Sequence, residues 1–175
     1  MQNPNGVMKY DQTLMTEQSL RDIKQYDVDL VVLPETNRNW QNRTIQRKWE
    51  TVVRKVWKHA KILTTSTPVN YSEVDYLAGG VGVIVTNKWS SRVVEVGVDT
   101  MGRWIHITFQ GQRGQFLTCV GVYRVNPGRN RSVDTNTAWR HQYNYILEKR
   151  LRVNTENTTQ VQQFKKKLIR GKLLW

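Results

Sequence analysis

The sequence is poor in cysteine and histidine, with the single cysteine Cys119 and three histidines. One cysteine cannot form a disulfide within the chain, and such usage is typical of a reducing compartment. We therefore predict an intracellular location, nuclear or cytoplasmic. The ligand set that a structural zinc site needs is also missing. Because Cys119 lies in the apolar run 116–122, a buried, unreactive thiol is expected there rather than a nucleophile.

Long apolar runs are absent as well. No stretch approaches the roughly 20 apolar residues that span a membrane, and no signal peptide is visible. A chain of 175 residues is long enough to bury a core but corresponds to one domain or part of one. The sequence therefore predicts a single domain over residues 1–175 with no membrane span.

Acidic residues are scarce relative to basic ones, 14 against 27, which gives a net charge of +13. This balance favours a polyanionic partner, either nucleic acid or an anionic membrane surface. The alternative is a basic surface with no such partner. The excess is concentrated in residues 38–61, where Glu50 is the only acid, directly after the more acidic segment 1–35. A metal-dependent enzyme acting on phosphodiesters needs carboxylates beside such a basic neighbourhood.

The stretch Asp29–Asn37 organises the chain. Its apolar run has the length of a strand and ends at Pro34, so Glu35 is expected at the carboxyl end of a buried strand. Ligands and metals in layered α/β proteins tend to lie at that end. Glu35 is therefore either a ligand for a hard cation or a surface residue that caps a helix.

Hydrophobic periodicity predicts the other elements. Helices are expected over 13–25, 38–58, 137–150 and 161–169, and strands over 30–33, 61–67, 80–86, 92–98, 103–109 and 115–123, with a further strand beginning at 173. The second helix carries an apolar stripe that places Trp49 in the core. An α/β start followed by an antiparallel meander predicts a mixed sheet.

Four polar residues follow the last strand of the meander: Tyr123, Arg124, Asn126 and Arg129. They would lie on the same rim as Glu35 if the two strands were parallel neighbours. The two arginines are either loop cations or bidentate phosphate ligands.

These motifs, in this order, resemble the endonuclease/exonuclease/phosphatase superfamily of divalent-metal phosphodiesterases. The order is Asn-x-Asn-Gly, a helix, a strand ending in Pro-Glu-Thr, Gly-Gly-Val-Gly-Val, Asp-x-x-Gly-Arg and Val-Tyr-x-x-Asn-x-x-Arg. The nearest subtypes are the endonuclease domain of non-LTR retroelements and the apurinic endonucleases. The resemblance implies an α/β (α+β) fold, a truncated sandwich of this type with a mixed, largely antiparallel sheet flanked by helices.

The resemblance also implies a set of site residues. The catalytic positions are Asn3, Asn5, Glu35 and Tyr123, with Glu35 as the ligand for Mg²⁺ or Mn²⁺. The nucleic-acid contacts are Asn37, Arg124, Asn126 and Arg129, and DNA is the favoured substrate. Asn5 stands where the family often has aspartate, and Asn37 where it often has lysine. Gly102 and Arg103 match a strand-opening Gly-Arg and are expected to be structural.

The second half of the family pattern is missing from the sequence. There is no Gly-Asp-x-Asn, which positions the attacking water and the phosphate, and no terminal Asp-His pair. We therefore expect an N-terminal portion of such a domain, with little or no nuclease activity alone, and a reverse transcriptase downstream if the gene continues. Whether the chain is an enzyme stays open. The alternatives are a basic module that binds nucleic acid without cleaving it, a lipid or inositol phosphatase of the same superfamily, and a fragment with no function.

Overall fold

A computed structural model describes residues 6–8, 13–68, 74–124, 140 and 142–147. The helices are α1 (Thr13–Lys24), α2 (Arg43–Val56) and the short α3 (Asn87–Ser90). The strands are β1 (Leu30–Pro34), β2 (Lys61–Thr65), β3 (Val81–Val85), β4 (Val93–Val98), β5 (Trp104–Gln110) and β6 (Phe116–Val122). Residues 142–147 are also helical. The helix predicted at 161–169 and the strand predicted from 173 lie outside the described residues.

The described strands form two three-stranded sheets. Sheet A has the order β1-β3-β2 and sheet B the order β4-β5-β6. Every pairing between described strands is antiparallel. The predicted α/β sandwich, largely antiparallel and flanked by helices, is therefore confirmed. The parallel pairing of a mixed sheet does not occur among the described strands, because β3 pairs antiparallel with both β1 and β2 and the meander from β4 onward forms a separate sheet.

The alternation of side chains along β3 separates two cores. Ile84 points to the outer face of sheet A, where it packs with α1, α2 and residues of β1. Val81, Val83 and Val85 point to the inner face and pack against β5 of sheet B. A strand with apolar side chains on both faces must be covered on both. This is why the Gly80–Thr86 run of the sequence lies at the centre of the sandwich.

The second helix begins later than its apolar periodicity predicts. Asn42 is its N-cap, and the Asn42 Oδ1 accepts hydrogen bonds from the backbone N–H groups of Thr44 and Ile45 at 2.9 and 3.4 Å. An asparagine cap satisfies amide groups that the first helical turn leaves unpaired. Residues 38–42 therefore belong to the loop that follows β1. Trp49 is fully buried, as predicted.

The turn between β4 and β5 docks on the end of β2. Gly102 N donates to Asp99 O at 3.1 Å and closes the turn. The Thr65 hydroxyl donates to Asp99 O at 2.8 Å. A Cβ atom at position 102 would lie 2.6 Å from the backbone of Ser66, so only glycine fits there. The structural role predicted for Gly102 is confirmed.

The single cysteine is more exposed than predicted. Cys119 is half-buried between the sheets rather than fully buried, because β6 is an edge strand of sheet B.

Among the described residues, no helix combines the length and apolar character that crossing a membrane requires.

Candidate active site

Glu35 follows β1 directly and has an unusual backbone conformation. Its φ is +57°, and that of Asn37 is +53°. Residues other than glycine enter this left-handed region at a cost of roughly 1–2 kcal/mol. Such strain persists only where the surroundings impose it, and it is often found at functional sites.

Hydrogen bonds to the Gly79–Gly80 segment hold this loop in place. Thr36 N donates to Gly80 O at 3.2 Å and Asn37 N donates to Gly79 O at 2.7 Å. In return, Gly79 N donates to the Asn37 side-chain oxygen at 2.8 Å. The Asn37 side chain is only 7% exposed, so in this structure it supports the loop. Its predicted contact with nucleic acid stays a prediction.

Glycine at position 80 is required by close packing under the same loop. A Cβ atom there would lie 2.7 Å from Thr36 Oγ1 and 2.9 Å from Thr65 O, and the φ of Gly80 is +83°. The Thr36 hydroxyl also accepts a hydrogen bond from Trp40 Nε1 at 2.8 Å. The Gly-Gly pair of the sequence thus serves to seat the loop that carries Glu35.

The N-terminal segment lies beside the same loop. Val7 N donates to Thr36 O at 3.0 Å, and Arg38 Nε donates to Val7 O at 2.6 Å. Asn3 and Asn5 lie outside the described residues, so their predicted catalytic roles stay predictions.

Tyr123 reaches Glu35 from the other sheet. Gly121 lets β6 approach β1 closely, since a Cβ atom at position 121 would lie 2.8 Å from a methyl group of Val32. Tyr123 follows at the end of β6, where its backbone N–H donates to Arg103 O at 2.6 Å. Its hydroxyl donates a hydrogen bond to the Glu35 carboxylate. We call the surface formed by Glu35, Tyr76 and Tyr123 the rim.

Glu35 and Tyr123 therefore share a rim, although not as neighbouring strands of one sheet. The strand before Glu35 belongs to sheet A and the strand before Tyr123 to sheet B. The two residues meet because the sheets pack face to face. The sequence-based prediction required their strands to be parallel neighbours. No parallel pair occurs among the described strands.

The environment of Tyr123 raises the pKa of its phenol to about 12. Burial is the main cause, followed by the negative charge of Glu35, the nearby phenol of Tyr76 and the hydrogen bond to Glu35. Both negative charge and burial disfavour the phenolate. Tyr123 is therefore neutral at physiological pH and can donate a hydrogen bond, but it is not poised as a general base.

Tyr76 is a rim residue that sequence reasoning missed. Leu77 is buried in the loop before β3, whereas the Tyr76 side chain is 46% exposed. Asn39 N donates to Asp75 O at 3.1 Å, which aligns this segment with the loop after Glu35. The Gly79–Gly80 pair directly downstream was the available signal that the two loops approach each other.

Of the remaining predicted site residues that follow Tyr123, the structure describes Arg124. Arg124 is exposed immediately after Tyr123. Asn126 and Arg129 lie outside the described residues. In the part of the chain that is described, no three histidine, cysteine or acidic side chains cluster as a metal site. Glu35 is the carboxylate of the rim.

Glu35→Gln is expected to lower the pKa of Tyr123, because it removes the negative charge and the charged hydrogen-bond acceptor. The pKa should stay above the ordinary value of about 10, since burial remains. Because the folded state holds the phenol proton more tightly than the unfolded chain, this group's contribution to stability is present below pH about 10 and is lost as pH rises toward 12. NMR titration of ¹³C-labelled tyrosine measures the pKa.

The control for this titration is Glu95→Gln, which neutralises an exposed carboxylate on β4 of sheet B. It should leave the Tyr123 pKa unchanged. Equal shifts in both variants would show that net charge, and not the contact with Glu35, sets the pKa.

Comparisons with known proteins find similarity among solved structures. No family model matches the sequence, and no curated protein matches it. Among solved structures, the chain is similar to an endonuclease/exonuclease/phosphatase family protein from Leptotrichia buccalis C-1013-b, with a TM-score of 0.49 and 14% sequence identity. The match covers 90% of this chain and 62% of that chain, so this chain spans less than two thirds of its neighbour's length. Similarity of this degree leaves family and substrate to experiment.

Proposed function

We propose that this chain is a domain of a divalent-metal-dependent phosphodiesterase of the endonuclease/exonuclease/phosphatase superfamily that acts on nucleic acid. The observation that carries the proposal is the meeting of the Glu35 carboxylate and the Tyr123 hydroxyl at one rim. The two residues are far apart in the sequence and belong to different sheets. A carboxylate that can bind a cation, hydrogen-bonded to a neutral phenol that can donate, supplies two of the groups that a phosphodiester site needs.

Phosphodiester hydrolysis needs charge neutralisation, an activated water and hydrogen-bond donors. Mg²⁺ or Mn²⁺ would be held by Glu35, and a bound ion would neutralise charge on the phosphate oxygens. A single half-buried carboxylate fits Mg²⁺, which keeps several waters and uses one or two carboxylates. The one hydroxyl proton of Tyr123, which bonds to Glu35 in the structure, would turn to a phosphate oxygen once Glu35 held the ion, and the exposed Arg124 would add positive charge.

Nucleic acid is the substrate best matched by the charge of the chain. The net charge is +13, and α2 exposes Arg43, Arg47, Lys48 and Arg54. Neutralisation of several phosphates by lysine and arginine provides salt-dependent affinity. We further propose that the nucleic acid is DNA and that the chain comes from a retroelement. The protein would then be intracellular and would act with a reverse transcriptase encoded downstream.

Binding to a labelled oligonucleotide, with and without Mg²⁺ or Mn²⁺, tests the proposal. Divalent ions should strengthen binding by the wild-type protein beyond their effect as salt, because an ion held by Glu35 would neutralise charge on a phosphate group. Glu35→Gln should lose this gain, while Glu95→Gln retains it. An equal response of both variants to the ions would refute the metal role of Glu35.

Cleavage is measured separately by nicking of a supercoiled plasmid. Little or no nicking is expected from this chain, because the sequence contains no Gly-Asp-x-Asn and no Asp-His pair. Loss of one member of a cooperative catalytic set lowers rates by orders of magnitude. EDTA-sensitive nicking that Glu35→Ala abolishes would show that the prediction of weak activity is wrong.

A second candidate is a module that binds nucleic acid without cleaving it. It is favoured by the exposed basic side chains of α2, which can bind phosphates without a metal ion. Under this alternative, binding falls with salt, ignores divalent ions and is unchanged in Glu35→Gln. Release of phosphate from an inositol polyphosphate, without affinity for the oligonucleotide, would instead indicate the phosphatase alternative.

A further inference from the structure

The outer face of sheet B, which points away from sheet A, carries apolar and aromatic side chains. Ile105 and Ile107 of β5 point inward, to the core between the two sheets. Because side chains alternate along a strand, Trp104 and His106 point outward. Their rings stack on that face with centroids 5.7 Å apart. The outward side of β5 therefore begins with an aromatic pair.

Strand β6 extends this surface along the edge of the sheet. Val122 pairs with Trp104, so the two side chains share the outer face. Val120 and Phe116 lie on the same face by alternation. Phe116, Val120 and Val122 are 64%, 55% and 38% exposed. We call the surface formed by Trp104, Phe116, Val120 and Val122 the outer patch. Contiguous exposed apolar surface of this kind marks a place where another element or molecule packs.

The chain itself contains a segment whose pattern complements this patch. The sequence predicts a helix over 161–169, outside the described residues. Val161, Phe164 and Leu168 recur there at i, i+3 and i+7, which is the spacing of one helical face. Gln163 falls on the opposite side at the same periodicity. A helix with this pattern is amphipathic and gains stability from an apolar surface on which to pack.

The chain leaves its described part beside sheet B, within reach of the patch. Gln142 is buried, and its Nε2 donates to Met101 O at 3.2 Å, which anchors the helical residues 142–147 at the β4–β5 turn. Residues 148–160 can span up to about 45 Å when extended. Strand β6 is only about 23 Å long, and a helix over 161–169 would be about 13 Å long. The segment can therefore reach the patch and fits along it.

We propose that residues 161–169 pack their apolar side chains on the outer patch of sheet B. Charge favours this segment over a second copy of the chain, because two molecules with a net charge of +13 repel each other. The covalent connection also holds the segment at a high effective concentration. Sheet B would then be covered on its outer face, as α1 and α2 cover sheet A. This packing does not depend on the proposed function.

A nitroxide spin label on the full chain tests the contact by NMR. Attached through Gln163→Cys in a Cys119→Ser background, it should remove most of the intensity of the Val120 and Val122 amide signals. The same label at Thr51→Cys, which is exposed on α2, should leave these signals unchanged. Unchanged signals with the label at position 163 would overturn the proposal. So would broadening that appears when a labelled copy is mixed with an unlabelled ¹⁵N copy, since a second molecule would then cover the patch.

Thiol reactivity at the patch gives a second, independent measurement. In the Cys119→Ser background, the thiol of Val120→Cys should react with a maleimide at least about fivefold faster when Leu168→Asp is added, because an unpaired carboxylate is costly to bury. Gln163→Asp makes the same change of charge on the opposite side of the predicted helix and should leave the rate unchanged. Equal rates in both variants would overturn the proposal. The spin-label experiment decides alone if Leu168→Asp does not fold.

Discussion

Gly102→Ala is expected to lower the free energy of unfolding by roughly 4 kcal/mol, although it adds only one methyl group. The φ of Gly102 is +71°, which costs about 1–2 kcal/mol for alanine. The added Cβ would also lie 2.6–2.7 Å from backbone atoms of Ser66 and Thr67. Overpacking of this kind costs about 1–3 kcal/mol, and backbone atoms cannot rotate away as a side chain does.

The clash would fall where the two sheets are joined. The Thr65 and Thr67 hydroxyls donate to Asp99 O and Met101 O, at 2.8 and 3.0 Å, and so fasten the β4–β5 turn to the end of β2. Moving this turn to relieve the clash would break those bonds. Urea unfolding followed by circular dichroism measures the loss, which should appear as a lower midpoint with little change in slope.

Gly114→Ala is the matched control for this substitution. Gly114 has nearly the same φ, +74°, but nothing lies within 4 Å of a Cβ atom built there. Its substitution should therefore show the conformational penalty alone, about 1–2 kcal/mol. If both variants lose the same stability, the close approach to Ser66 is not what restricts position 102.

Trp49→Ala is expected to lower the free energy of unfolding by about 4 kcal/mol, because it removes the largest fully buried side chain of the described core and leaves a cavity. Trp49 packs against Trp40 with ring centroids 6.0 Å apart, and Trp40 Nε1 donates to the Thr36 hydroxyl. The cavity would thus open beneath the loop that carries Glu35. Urea unfolding measures the loss of stability.

Trp49→Phe should be far milder than Trp49→Ala. Phenylalanine keeps most of the buried ring, and no hydrogen bond is lost because Trp49 Nε1–H has no acceptor among the described residues. Removing an unpaired buried donor even offsets part of the lost packing. A loss in Trp49→Phe of more than about 2 kcal/mol would mean that the indole N–H is hydrogen-bonded in solution.

Much of the fold could be predicted from local patterns. The apolar stripe of α2 predicted Trp49 in the core, where the structure places it, and each of the six described strands overlaps a predicted one. Periodicity succeeds because burial on one face is a local property of the sequence. The start of α2 was missed because Asn42 ends the loop through its own side-chain hydrogen bonds, which periodicity does not register.

The candidate site was predictable only in part. Glu35 was found from the end of its strand and Tyr123 from the end of another. Tyr76 was missed, since its exposure depends on how two loops align through Asn37 and Gly79. No periodicity encodes such an alignment.

The sequence by itself determined the strands, the basic charge and the carboxylate that follows Pro34, because each depends on neighbouring residues. Only the tertiary structure decided that Glu35 meets Tyr123. Their contact requires two sheets to pack face to face, and Gly121 permits that approach against Val32. The same packing raises the pKa of Tyr123, because burial and the charge of Glu35 act through space and not along the chain.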